Sequence, residues 1–160
     1  MNPTHWHLLL NHAPVLGTIF GLGLLLLGFA QKNDAVKQAA LGVFVVVALL
    51  TVPVYLTGEP AEAGVKGLPG VSEQLIEQHE QAATVAFVGV LALGVTALLG
   101  LILFRRAKSV PAWLSYAVLA AALIVSGLMA WTANVGGQIR HSEIRVRAAP
   151  LGGAGHSEKD

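Results

Sequence analysis

Four long apolar runs alternate with shorter polar joints along the chain. None of the runs carries a charged residue in its central part, and each is close to the roughly 20 residues that a helix needs to cross a bilayer. They cover about 8–30, 39–57, 82–104 and 110–133. Because lipid does not tolerate irregular backbone, the pattern predicts four transmembrane helices, over about 5–30, 36–57, 72–104 and 110–135.

The composition fits a chain whose surroundings are mostly lipid. Of its 160 residues, 54% are hydrophobic and only 12% are charged, whereas a soluble domain averages about 25% charged residues. We therefore expect one all-α domain, an integral-membrane four-helix bundle over 1–148, followed by a flexible tail over 149–160. The net charge of +1 comes with no dense basic cluster, which argues against a nucleic-acid partner. The absence of cysteine excludes disulfides, iron–sulfur clusters and thiolate zinc sites.

The basic residues predict the orientation in the membrane. The two short joints lie on one side, and they carry Lys32, Lys37, Arg105, Arg106 and Lys108. Short loops dominate the positive-inside rule, so we expect these joints in the cytoplasm and both termini on the non-cytoplasmic side. The expected location is the bacterial inner membrane, with several passes through the bilayer.

This orientation puts every histidine near the outer surface. The stretch HWHLLLNHAP places three of them at the outer end of the first helix, and the third and fourth helices add one each. They are His5, His7, His12, His79 and His141, and His156 lies in the tail. Intramembrane ionisable groups usually mark ion and proton pathways, and the centres of the spans lack them. A proton-coupled transporter is therefore not expected.

Helical spacing distinguishes some of these histidines. At 100° per residue, His79 faces away from the carboxylates of its own helix and towards the bundle, above a stripe of mostly small residues. Such residues allow close helix packing, and they would also leave room for a flat cofactor. On the first helix, His7 and His12 lie on opposite faces, and a bend at Pro14 leaves the choice between them open.

Three short segments resemble a known family. LLNHAPVLGT (9–18), His79 at the start of the third helix and VGGQIRH (135–141) after the fourth are similar to the bacterial membrane family called domain of unknown function 2231. That family has four helices, a His-Phe-Pro motif, a histidine that opens the third helix and a closing Gly-Gly…His. The resemblance maps its histidines onto His12, His79 and His141, with Ala13 in place of the Phe and Ser142 in place of the Gly that follows the last histidine. It implies a redox setting, since related domains occur fused to Rieske-type electron carriers.

The first functional hypothesis is a b-type cytochrome that transfers electrons. Two imidazoles would hold a haem near the outer surface, one from the first helix (His7 or His12) and one from His79 or His141. Arg140 and Arg145 would meet the haem propionates. Bis-histidine ligation leaves no open position on the iron, so an electron-transfer subunit is expected rather than a stand-alone enzyme. Its partners would be the bilayer, quinol, and membrane or periplasmic redox subunits.

Two other hypotheses stay open. In a non-haem site, His12, His79 and His141 would bind iron, copper or zinc together with Glu59 or Glu143. Glu59 lies in the long loop, which can fold over the histidines. In a structural subunit, the histidines would form an interfacial hydrogen-bond network without a cofactor.

Overall fold

The computed structural model describes residues 3–104 and 109–145, and the tail predicted over 149–160 lies outside them. This part of the chain is helical and contains no β-strand. Its helices are α1 (Pro3–Leu10), α2 (His12–Ala30), α3 (Asp34–Leu56), α4 (Gly58–Ala63), α5 (Glu73–Leu103) and α6 (Ala112–Arg140), and a 3₁₀ turn follows at Ser142–Ile144.

Four of these segments are long and apolar enough to cross a membrane. They are Thr4–Ala30, which joins α1 and α2, then Asp34–Leu56, Glu73–Leu103 and Ala112–Arg140. The helices α2, α3, α5 and α6 form a closed bundle in which each packs against the two next to it around the ring. The predicted all-helical bundle with four membrane-length helices is thus confirmed.

The outer surface of the bundle is apolar. Large hydrophobic side chains such as Leu16, Phe20, Leu49, Val88 and Leu103 are exposed. A contiguous apolar surface of this kind is unfavourable in water but matches hydrocarbon. The surface is therefore compatible with contact with a lipid bilayer.

Glycines on the inner faces bring the helices close together. A Cβ on Gly21 of α2 would lie 2.6 Å from Cε1 of Phe44 in α3, and a Cβ on Gly17 would lie 2.6 Å from Cγ2 of Val47. Gly94 of α5 likewise sits directly against the Cβ of Ala48. Because lipid supplies no hydrophobic force between helices, such close contacts hold the bundle together.

The first span is interrupted near its N-terminal end. The segment predicted as one helix over 5–30 consists of α1 and α2, which are separated by a turn at Asn11. Pro14 explains the break, because it has no N–H for the carbonyl of Leu10 and its ring crowds that carbonyl.

The end of the bundle that carries the histidines differs from the prediction in two further places. The loop after α3 begins with the short helix α4, where Pro60 falls in the first turn and loses no internal hydrogen bond. The last helix, predicted to end at 135, continues through Gly136 to Arg140. Its carbonyls at Gln138 and Ile139 accept hydrogen bonds from the Arg145 side chain, which stabilises the added turn.

Candidate functional site

His7 is held against the end of α3. Its Nδ1 lies 3.1 Å from the carbonyl oxygen of Val54 and 3.3 Å from Oγ1 of Thr57. The Thr57 hydroxyl itself donates to the backbone carbonyls of Pro53 and Val54, so towards His7 it acts as an acceptor. A carbonyl oxygen can only accept. The proton of the neutral His7 imidazole is therefore on Nδ1.

His79 is held against α6 in the same way. Its Nδ1 lies 3.1 Å from the carbonyl oxygen of Thr132, so this nitrogen also carries the proton of the neutral ring. The ring packs against Gly136, where an added Cβ would be 2.8 Å from Cε1. His79 therefore faces the bundle, as its helical position predicted.

The two histidines share one chemical state. With Nδ1 donating to a carbonyl, each neutral ring presents a lone pair on Nε2. Metal-binding histidines commonly use this arrangement, in which a backbone carbonyl fixes the tautomer and the orientation of the ring. Both imidazoles are half-buried, and charges on the two rings would repel each other.

The small residues beneath His79 serve helix packing. Ala82 and Ala86 are fully buried, and a Cβ on Gly89 would lie 3.3 Å from Cγ2 of Val125. Further along, a Cβ on Gly100 would lie 2.8 Å from Cδ2 of Leu114. The neighbouring helices thus fill the space that the sequence left for a flat cofactor along this stripe. Any cofactor at His79 has to lie towards the end of the bundle that carries the histidines.

His12 and His5 occupy different positions from His7. His12 is exposed at the first residue of α2, and His5 is exposed on α1. The choice that the helical wheel left open on the first helix is therefore between an exposed His12 and a half-buried His7. His7 has a backbone carbonyl partner of the same kind as His79.

His141 and the arginines lie at the end of α6. The exposed His141 is 2.8 Å from the Glu143 carboxylate through Nδ1. The hydrogen bond from its own backbone N–H and the one from His141 lower the pKa of the Glu143 carboxyl below its usual range. Arg140 is exposed. Arg145 donates to the carbonyls of Gln138, Ile139 and Gly70 at 2.8–2.9 Å, so most of its guanidinium is engaged by backbone.

The metal set His12, His79, His141 and Glu59 stays a prediction. Within residues 3–104 and 109–145, no group of three or more histidine, cysteine or carboxylate side chains is arranged to hold a metal ion. Glu59 is exposed on α4. The carboxylates of α5 are also exposed, and with Gln74, Glu62 and Lys66 they line an open depression of about 390 Å³.

Asn11 is a polar residue near His7 that the sequence analysis did not name as a candidate ligand. It lies one helical turn after His7, and its backbone N–H donates to the His7 carbonyl at 2.9 Å. Its side-chain Oδ1 is buried without a hydrogen-bond partner. A buried acceptor of this kind is costly unless something donates to it or binds it. The sequence signal for this group was the spacing of His7 and Asn11, which are four residues apart and therefore share one helix face.

Comparisons of the chain with protein-family models, with curated proteins and with solved structures find no match. The resemblance to the domain of unknown function 2231 therefore stays a prediction that rests on the three motifs.

Proposed function

We propose that the protein is a membrane-embedded electron-transfer protein in which His7 and His79 would hold a b-type haem. The observation that carries this proposal is their shared geometry. Each ring donates through Nδ1 to a backbone carbonyl, and each leaves Nε2 as a lone pair. A haem held by two imidazoles supplies one-electron chemistry and no open coordination position.

The hydrogen-bond partners of the two rings and a nearby arginine fit the binding of a haem. The carbonyls of Val54 and Thr132 raise the basicity of the rings and fix their orientation. Arg140 is the last residue of α6, and its guanidinium is exposed. It is the proposed partner of a haem propionate. Arg145 is a poorer candidate than the sequence indicated, because backbone carbonyls already occupy it.

The position of the site follows from packing and orientation. The stripe beneath His79 is closed by neighbouring helices, so the ligand lies towards the outer end of the bundle. In our proposal this end faces the periplasm of a bacterial inner membrane, because the opposite joints carry the basic residues. A site near one surface exchanges electrons with quinol, or with a partner subunit, and a periplasmic carrier.

A second candidate is a non-haem metal site, and Asn11 is the observation that favours it. Its unpartnered Oδ1 is one turn from His7 and would add an oxygen donor to the two Nε2 atoms. Two nitrogens and one oxygen suit iron, copper or zinc. Unlike a flat porphyrin, a single ion needs little space.

One experiment separates these candidates. The protein, purified in mild detergent, is examined by optical spectroscopy before and after dithionite, and its iron, copper and zinc are quantified. A Soret band with sharp reduced α and β bands supports the haem. Bound metal with no such bands supports the non-haem site. Protein that has no haem and no metal, and that binds neither when they are added back, contradicts both and leaves a structural subunit.

A further inference from the structure

His7 and His79 are held by the same local device. Each donates through Nδ1 to a helical carbonyl, that of Val54 or of Thr132. In each case the residue four positions after that carbonyl is a glycine whose added Cβ would approach Cε1 of the same ring, Gly58 for His7 and Gly136 for His79. We call these two glycines the seats.

The device is present in each half of the chain. In the first half, a histidine on α1 meets the end of the second span and the start of α4. In the second half, a histidine at the start of α5 meets the end of the fourth span. Both contacts lie at the same end of the bundle, because the spans alternate in direction. The order of parts is the same in both halves: histidine, span, joint, span, carbonyl, glycine.

We infer that the site is built from two matching halves, each contributing one imidazole on a glycine seat, and that Gly136 is the positioning residue that orients Nε2 of His79. The claim that one ligand joins the two Nε2 atoms rests on the proposed function. The seating of the rings does not, because it follows from the hydrogen bonds and the glycine contacts alone.

The two seats differ in the distance between an added Cβ and the histidine ring, and this difference makes the inference testable. A Cβ at position 136 would lie 2.8 Å from Cε1 and 3.0 Å from Nδ1 of His79, whereas a Cβ at position 58 would lie 3.8 Å from Cε1 of His7. The first distance forces the ring to move, and the second is an ordinary van der Waals contact. The three atoms nearest the added Cβ at 136 all belong to the His79 ring.

The test is ¹⁵N NMR of the histidine side chains in protein without added cofactor, in detergent micelles or nanodiscs. His7→Gln and His79→Gln variants assign the signals. We expect both rings in the Nδ1–H form at a pH where they are neutral. Gly136→Ala should change the His79 signals and leave those of His7 in place. Gly58→Ala should disturb His7 less than Gly136→Ala disturbs His79. Gly127→Ala, in the same helix but facing open space, should change neither ring.

A second measurement covers the case in which Gly136→Ala folds poorly. If the added methyl acts through the ring, then removing the ring with His79→Ala should make Gly136→Ala tolerated, and the two substitutions should be non-additive in a thermal unfolding cycle. The inference is overturned if Gly136→Ala leaves the His79 signals unchanged, or if its destabilisation is the same with and without the ring. Seats confirmed by NMR in a protein that binds no haem or metal would overturn the proposed function and leave this inference standing.

Discussion

The guanidinium of Arg145 donates to the carbonyl of Gly70 across 75 residues of sequence, at 2.8 Å. The same side chain also donates to the carbonyls of Gln138 and Ile139 at the end of α6. Cations near the end of a helix satisfy its last carbonyls and interact favourably with its dipole. Arg145 thus links the loop between α4 and α5 to the last turn of α6, beyond the seat of His79.

We therefore expect Arg145→Ala to loosen this end of the bundle without removing a ligand. A hydrogen bond to a charged group contributes about 1.5–3 kcal/mol, and partial exposure reduces this, so about 1–2 kcal/mol should be lost from the unfolding free energy. Thermal unfolding checks the loss, and the visible spectrum or metal content checks the site. A variant of normal stability that has lost its cofactor would instead assign Arg145 to propionate binding.

The contact between α3 and α5 predicts a second effect. Gly94 sits directly against Ala48, with the Phe44 carbonyl 3.3 Å from its added Cβ. Since backbone cannot move aside easily, Gly94→Ala should destabilise the bundle by about 1–3 kcal/mol, the usual cost of overpacking.

The control for this change is Gly42→Ala in α3, where an added Cβ meets open space. Alanine is favoured over glycine in a helix by about 1 kcal/mol, so this variant should be as stable as the parent or more stable. Unfolding in mixed detergent micelles measures both. Equal effects of the two substitutions would contradict the close approach of α3 and α5.

The proposed orientation predicts which end of the bundle reagents reach from outside the cell. The chain has no cysteine, so a thiol reagent reacts only with a cysteine that is introduced by substitution. A membrane-impermeant thiol reagent should label Gln78→Cys, exposed near His79, in intact cells. It should label Ser109→Cys, exposed in the joint before α6, only after permeabilisation. The reverse pattern would place the histidines in the cytoplasm.

The spans and the direction of His79 could be predicted from sequence because they follow from hydrophobicity and helical period. The partners of the histidines could not. Val54 and Thr132 act through backbone carbonyls. Because every residue has a backbone carbonyl, the identity of the residue does not reveal this role. The two glycines before Gln138 indicated either a helix end or a close approach. The structure shows the close approach, at Gly136.

The role of the small residues on α5 was also beyond sequence reasoning. The same stripe is expected whether a helix or a cofactor packs against it, and only the position of α6 decides between them. Val125 and Leu114 of α6 occupy that space. Pro14 predicted the break at Asn11. The sequence did not show which histidine the bend turns inward, because that depends on how α1 packs against α4.

The most direct test of the account is the amount of bound haem or metal per protein in four single variants, His7→Ala, His79→Ala, His12→Ala and His141→Ala, each purified in parallel with the parent. We predict that the first two lose the bound species or its parent spectrum, because each supplies one Nε2. The last two should keep it, because both side chains are exposed. Retention in His7→Ala with loss in His12→Ala or His141→Ala would contradict it.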